Sequence, residues 1–403
     1  MSFFGVICYN RDVRILFVCP TLPDSPEKDG MTQVGYFLIR ELAQRHAITV
    51  WAAGEPKEPT TDMLKLGVRE AKVFPIHHRS ILSYYAIGSR YPWYQTRRNS
   101  TALHIALETM SPSQFDLVVL HSPFVAQYIH DIHGIPVVMQ AMDEMSTWFN
   151  NTAATEPVFL RRWHLRSEAR RALISETRDY RLARAVTLVS PVDAKTIEQL
   201  LPREQVVEYL PIGIDQKTFF PPTGPRSAQT IVFTGMMNYP PNVEAATWFV
   251  QHVWPAIRQR HPEFVFRIVG KNPTAEVTRL SQTPGVMVTG RVPSMADELR
   301  RATLAVSPLQ HGTGFKIKII EALSCGIPLI ASPASIPGTT IEPGKQALVA
   351  STPTEWIAAV EELLKNTAHR AQLSVQALDL AARFNWTAVA KRVEELYDSC
   401  THG

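Results

Sequence analysis

The sequence predicts an α/β protein made of two doubly wound domains in tandem. Three observations carry this. Short apolar runs closed by proline or turn residues alternate with stretches whose apolar residues recur at helical spacing, as expected of buried parallel strands joined by crossover helices. That series ends near residue 200 in a segment punctuated by proline and glycine, and then begins again. The length, 403 residues, suits two domains of ordinary size.

In order along the chain, Arg14–Pro20 is a short apolar run closed by proline and reads as the first strand. Thr21–Gly30 is rich in turn residues. Val34, Phe37, Leu38 and Leu42 then follow at helical spacing, and Ile48–Trp51 reads as the next strand. This strand–loop–helix–strand order is a right-handed βαβ unit. Phe115–Leu120 and Pro136–Met139 continue the strands, a long arginine-rich helix follows, and Ala185–Val189 closes the first domain. Residues 202–229 carry Pro202, Pro211, Pro221, Pro222 and Pro225 with Gly213 and Gly224, and read as a linker. The second series contains strands at Thr230–Thr234, Phe264–Val269, Val286–Thr289, Leu304–Ser307, Pro328–Ala331 and Ala347–Ala350. Asn242 is placed to cap a helix that turns Ala246, Phe249, Val253 and Ile257 inward. Two helical stretches, 354–383 and 386–400, end the chain. Ligands of such folds bind at the C-terminal ends of the strands.

Composition excludes several classes. Hydrophobic residues make up 45% and charged residues 19%, as in a globular protein. No apolar run approaches the ~20 residues that a membrane helix needs. Met1–Asp12 lacks the pattern of a signal peptide, so a cytoplasmic location is expected. Cys8, Cys19, Cys325 and Cys400 are scattered without metal or redox spacing and read as reduced thiols. The formal net charge of +4 gives no reason to expect a nucleic-acid partner. The charge is uneven, however: residues 161–184 hold eight arginines against Glu168, Glu176 and Asp179.

The chemistry concentrates in Pro308–Glu321, between a strand and a helix. Two glycines, Gly312 and Gly314, let backbone approach a ligand at a helix start, where free N–H groups favour an anion. Lys316 and Lys318 add compact positive charges suited to phosphate oxygens. Glu321 repels phosphate but accepts hydrogen bonds from a vicinal diol such as ribose. Lys318 and Glu321 are three apart and share a helix face. Lys316 and Lys318 are two apart, so both address one diphosphate only if Lys316 lies in an irregular first turn. A solvated loop with two exposed lysines is the alternative reading of such a stretch.

Pro308–Ser332, with its string Gly-Thr-Gly-Phe-Lys-Ile-Lys-Ile-Ile-Glu, resembles the donor-binding signature of retaining GT-B glycosyltransferases of the group 1 (family four) type. The resemblance covers nearly the whole chain. It implies two Rossmann-like domains facing across a cleft. Residues 1–212 would form the acceptor-side domain, with a helix over 386–403 packing back on it, and 213–385 the nucleotide-sugar domain. It further implies that Glu321 holds the ribose, and that Lys316, Lys318 and the backbone of Gly314 and Phe315 hold the diphosphate. Thr313 stands where many members carry a glutamate that contacts the sugar, as in a subgroup with Gly-[Ser/Thr]-Gly. Phe233–Asn242, including Gly235 and Asn238, is similar to the loop after the first strand of that domain. Arg291 and Val292 resemble the stretch that meets the base. Pro211–Asp215 with Phe219 is similar to the family's hinge.

On the acceptor side the resemblance assigns Gly30 to the donor phosphate and His121, at a strand end, to the donor sugar; Asp143 matches an acidic position beyond the next strand. Each has a plain structural alternative. The aromatic stretch 77–94 could stack on a sugar, touch lipid or simply pack a helix. The arginine-rich helix could dock on anionic membrane or be solvated with ion pairs. The implied reaction moves a hexose from a nucleotide diphosphate, UDP or GDP, to a hydroxyl on a saccharide, a lipid-linked or a small-molecule acceptor, in polysaccharide or glycolipid synthesis. No cofactor is expected. Without an Asp-x-Asp motif, and with lysines at the diphosphate, no metal is expected either. A sugar-nucleotide epimerase of the same architecture and a non-catalytic binding component remain open. A dehydrogenase is disfavoured, because no Gly-x-Gly-x-x-Gly follows Arg14–Cys19 or Thr230–Thr234.

Overall fold

Apolar runs of five or six residues have nowhere to go in water, and both strand series bury them in parallel sheets. The computed structural model describes residues 13–25, 30–55, 61–77, 84–85, 89–224, 226, 228–311 and 315–402. They fall into two units: the chain up to Leu210 together with Val389 onward, and Pro211–Ala388.

The first unit holds a seven-stranded sheet: β1 (Arg14–Cys19), β2 (Ala47–Gly54), β3 (Glu70–Pro75), β4 (Leu117–His121), β5 (Val137–Met142), β6 (Ala185–Leu188) and β7 (Val206–Tyr209). Their order is β3-β2-β1-β4-β5-β6-β7, with every pairing parallel. All residues of β2, β4 and β5 are buried, as strands covered on both faces require. Helix Trp386–His402 buries Val389, Val393 and Leu396. Its Glu394 carboxylate accepts from Arg45 Nε at 2.6 Å and lies 3.1 Å from His46 Nε2.

The second unit holds β8 (Ala228–Thr234), β9 (Val265–Val269), β10 (Val286–Gly290), β11 (Ala302–Ser307), β12 (Leu329–Ala331) and β13 (Leu348–Val349). Their order is β10-β9-β8-β11-β12-β13, again all parallel. Ala246, Phe249, Val253 and Ile257 are all fully buried, but the single helix expected to carry them is two: Pro240–His252 ends at Val253, and Trp254–Arg260 carries Ile257. Where the chain enters this unit, a Cβ on Gly213 would lie 2.4 Å from Cδ2 of Trp386, so only glycine fits against that ring.

Three further local expectations are corrected. The 202–229 stretch is not all linker, since Val206–Tyr209 pairs with β6 as the edge strand β7. The 354–383 stretch is two helices, Pro353–Lys365 and Thr367–Ala381, because the Asn366 side chain accepts from His369 N and caps a new start. Asn242 does not cap its helix. Tyr239 occupies the cap position of Pro240–His252, and Asn242 is buried one turn in. Among the described residues, no helix is long and apolar enough to cross a membrane.

Candidate functional site

In the second unit the candidate site begins where β11 ends. Three serine hydroxyls fix the departing chain. Ser335 Oγ donates to Ser307 O at 2.7 Å, Ser332 Oγ donates to Leu309 O at 2.6 Å, and the Ser307 and Ser335 hydroxyls are 2.9 Å apart. His311 is exposed beside Glu244, at 3.4 Å. Thr313 and Gly314 lie outside the described residues. Phe315 packs against the Phe384 ring with centroids 5.8 Å apart. Its Cβ and ring edge lie close against Gly338, which adopts φ +82°.

Helix Ile317–Ser324 then starts, with Lys316 at its cap position at φ −104°, ψ 87°. Lys316 is therefore outside the regular helix, which is the geometric condition for it to share a ligand with Lys318. The apolar residues Ile319, Ile320, Ala322 and Leu323 anchor the helix in the core. Lys318 and Glu321 sit partly buried on another face.

The surroundings of Lys318 were not legible in the motif. Its ammonium donates to Asn242 Oδ1 at 2.6 Å and stands 4.8 Å from the centroid of the Phe233 ring. Asn242 in turn donates through Nδ2 to Met236 O at 2.9 Å. The loop after β8 and the helix after β11 are thus tied through one amide. Burial lowers the Lys318 pKa to about 7, the neighbouring Lys316 charge adds to this, and Glu321 opposes it. Burial raises Glu321 to about 7, with Lys318 opposing. The Glu321 carboxylate has no hydrogen bond to a described residue, so its acceptor capacity is available to a ligand.

Gly235 is needed for a close approach: a Cβ there would meet Asn242 Nδ2 at 2.6 Å, and a Cβ on Gly270 would overlap Gly235 O. The strand ends are laced together by Gly235 N to Val269 O and Gly270 N to Gly290 O, both 3.1 Å. Asn238 is exposed and lines an open cavity of about 590 Å³ with Glu244, Trp248, His252 and Thr274; neither Lys318 nor Glu321 lines it. Arg291 is exposed, while Val292 is partly buried against the core that also receives Phe315.

In the first unit, His121 and the start of helix Gly30–Leu42 come together. His121 Nδ1 lies 2.9 Å from Gln140 Oε1, and Nε2 lies 3.2 Å from Met31 O. Gln140 Nε2 donates to Tyr397 Oη at 3.1 Å. With the opposite amide orientation the same chain runs Tyr397 to Gln140 to His121 Nδ1, and Nε2–H donates to Met31 O. Gly30 is the exposed first residue of its helix, and a Cβ on Gly35, one turn on, would meet His121 Nε2 at 3.0 Å. Asp143 is exposed, with its N–H on Ala141 O at 2.8 Å.

The buried acid of that loop is its neighbour Glu144, which caps helix Met145–Thr155 by accepting from Thr147 N. Glu176 faces the same loop and accepts from Met145 N at 2.7 Å and Ser146 N at 3.3 Å. Burial, and then the Glu144 charge, pushes the Glu176 carboxyl up to about 8. The described aromatics of 77–94 are mostly structural. Tyr84 is buried and donates to Glu168 at 2.7 Å, Trp93 N donates to the other oxygen of Glu168 at 2.6 Å, and Tyr94 stacks on Phe149. Residues 78–83 and 86–88 lie outside the described set.

Comparison with known proteins adds the following. Residues 228–366 match the family model Glycosyl transferases group 1. The match covers the whole of the grip built by β8, β11 and helix Ile317–Ser324. A D-inositol 3-phosphate glycosyltransferase of Thermobispora bispora is 35% identical over 107 residues, 26% of this chain and 25% of that protein. Another of that name, from Nocardiopsis dassonvillei, is 21% identical over 226 residues, 49% and 52% of the two chains. The chain spans about a quarter of the length of the first curated relatives it matches. Among solved structures, Anabaena HepE in complex with UDP superposes with a TM-score of 0.68 at 15% identity, covering 96% of this chain and all of that one. Sucrose-phosphate synthase of Thermosynechococcus elongatus gives 0.67 at 16% identity, covering 96% and 98%. These likenesses establish the fold as GT-B, with two Rossmann-like parallel-sheet domains.

The site roles of Gln140, Glu144, Asn242 and Glu176 escaped the sequence reading. Gln140 left a signal, as the polar residue of the buried strand VVMQAM. Asn242 left a misleading one, since asparagine near a helix start reads as a cap. Glu144 and Glu176 become partners only through tertiary packing.

Proposed function

We propose that this chain is a glycosyltransferase that moves a hexose from a nucleotide-diphosphate sugar to a hydroxyl acceptor, with retention of anomeric configuration and without a metal. The single observation that carries the reading is the pairing on one helix of Lys318, held by Asn242, with Glu321, whose carboxylate is available to a ligand. A cation and a diol acceptor one helical turn apart fit the diphosphate and ribose of one nucleotide. The relatives named glycosyltransferases and the neighbour that binds UDP support it.

In this reading Lys318 and Lys316 stabilise the charge that develops on the leaving diphosphate as the glycosidic bond breaks. Phe315 would offer its backbone N–H to the same oxygens, and the resemblance assigns Gly314 and Gly30 to the donor phosphate and Thr313 to the sugar. Gly235, Asn238, Arg291 and Val292 bound the nucleotide. His121 exchanges its 3.2 Å contact with Met31 O for a sugar hydroxyl, and Asp143 assists on the acceptor side. No protein nucleophile is assigned, so the acceptor attacks the face the nucleotide leaves, through an oxocarbenium-like ion. The acceptor in this reading is a saccharide, a lipid-linked or a small-molecule hydroxyl, and polysaccharide or glycolipid synthesis is the setting we propose for the reaction.

The test is a thermal-shift panel of nucleotide sugars followed by product analysis with and without acceptor. Glu321→Ala should lose most of the shift given by the best donor at the same ligand concentration. A full shift in that variant refutes the assignment, conversion of the donor without acceptor marks an epimerase, and binding without turnover marks a non-catalytic component. Undiminished turnover in a chelator is expected, and its loss would overturn metal independence.

A further inference from the structure

Helix Phe159–Arg178 is inside out. At about 100° per residue, Phe159, Trp163, Arg166, Arg170, Leu173 and Ile174 fall on one face, and all six are exposed. Phe159 and Leu160, each 73% exposed, are the most exposed large apolar side chains among the described residues, and Trp163, 54% exposed, stands with them, so the apolar groups form a cluster rather than scattered single residues. The opposite face carries Glu168, Ala169, Ala172, Ser175 and Glu176, all buried. The acids are consumed inside: Glu168 accepts from Tyr84 and the backbone of Trp93, and Glu176 from the loop at Met145. Arg171 and Arg178 also turn inward, over the Tyr84 ring at 5.1 Å and the Tyr91 ring at 4.7 Å.

The outward arginines differ. Arg166 and Arg170 are exposed on this face and form no ion pair among the described residues. The outer face therefore presents two unpaired cations and no anion, interleaved with large apolar groups. Trp163 is backed by the Tyr85 ring at 5.4 Å, so the indole is held outward rather than folded onto the surface.

We propose that this face docks on an anionic lipid bilayer, with the helix lying in the plane of the headgroups. Guanidinium groups take lipid phosphates, while Phe159, Leu160 and Trp163 enter the boundary between headgroups and acyl chains. Charge complementarity selects this occupant: Arg166 and Arg170, unpaired on one face beside exposed Phe159 and Trp163, need anions that adjoin an apolar phase. The inference is independent of the donor-site reading.

The test uses the full chain and vesicles of phosphatidylcholine alone or of equal parts phosphatidylcholine and phosphatidylglycerol. Co-sedimentation is expected with the anionic vesicles only, weakening as salt rises. R166Q/R170Q should lower the partition coefficient about 25-fold, at roughly fivefold per arginine. F159S/W163S should abolish binding that survives moderate salt. R203Q, at an exposed arginine of the same unit, should change partition no more than a single distant charge does. Unchanged melting curves show that the variants fold. Absence of sedimentation, equal partition on both vesicle types, or an R166Q/R170Q variant that binds like the parent each overturns the proposal. So does a concentration-dependent dimer in light scattering that F159S/W163S dissolves, because a second copy would then own the face.

Discussion

Replacing Glu321 by alanine should erase the ability to tell a ribonucleotide from its 2′-deoxy counterpart. In the parent protein the carboxylate would accept from both ribose hydroxyls. A hydrogen bond to a charged group contributes about 1.5–3 kcal/mol, so removing one hydroxyl from UDP or GDP should weaken binding about 10- to 150-fold. Glu321→Ala should bind the two ligands within about twofold of each other, because no acceptor remains to lose. The structure makes this a clean experiment. The carboxylate bonds no described residue, so its removal leaves no orphaned donor behind. Burial, which raises its pKa to about 7, also means that the protein gains little from its charge. The melting temperature of the ligand-free variant should therefore match or exceed that of the parent. Calorimetric titration of both proteins with both ligands gives the four affinities of a double-mutant cycle. If Glu321→Ala keeps the full preference for the ribonucleotide, Glu321 does not hold the diol and the reading of the helix is wrong.

Three further outcomes are expected. Nucleotide affinity should peak near neutral pH: below about 7 Glu321 gains a proton and loses acceptor strength, and above about 7 Lys318 loses its charge. Titration across pH should show that Glu321→Ala removes the acid limb and Lys318→Met the alkaline limb; a flat profile in the parent contradicts both shifts. Gly213→Ala should destabilise the protein by about 1–3 kcal/mol in urea unfolding, because the new methyl meets the Trp386 ring. Glu176→Gln should raise stability relative to the parent as pH increases. The folded-state pKa of Glu176, about 8, lies above its ordinary 4.5, so its neutral form stabilises fully below about 4.5 and that contribution is lost as pH rises through about 8. Equal denaturant midpoints for the two proteins above pH 8 would show that Glu176 ionises in the fold at little cost.

The central strands were legible because a strand covered on both faces must be an unbroken apolar run, as in RILFVC and LVVLH. The edge strands were not. EAKVFP of β3 mixes charge with apolar residues, and VVEY of β7 lies partly exposed beside a proline-rich stretch, so both resemble loops. Helix 354–383 hid its break because Asn366 terminates one helix and caps the next without interrupting the apolar rhythm. In the candidate site, Lys318 and Glu321 were visible as a spacing on one helix. Their environment was not, because Asn242 lies 76 residues before Lys318 and meets it only when β8 and β11 pair side by side. His121 was visible as a strand-end histidine, but its link through Gln140 to Tyr397 spans almost the remaining length of the chain.

The bond between Lys318 and Asn242 has an entropic side. A free lysine samples many rotamers, and freezing it costs up to about 2 kcal/mol. Here the ammonium is already fixed by the amide and the Phe233 ring, so that loss has occurred during folding. An arriving anion meets a stationary charge with proton donors to spare, and association need not wait for a side chain to search. The same rigidity narrows what can be bound: an anion displaced from that spot cannot draw the lysine after it without breaking the tie that holds the loop after β8.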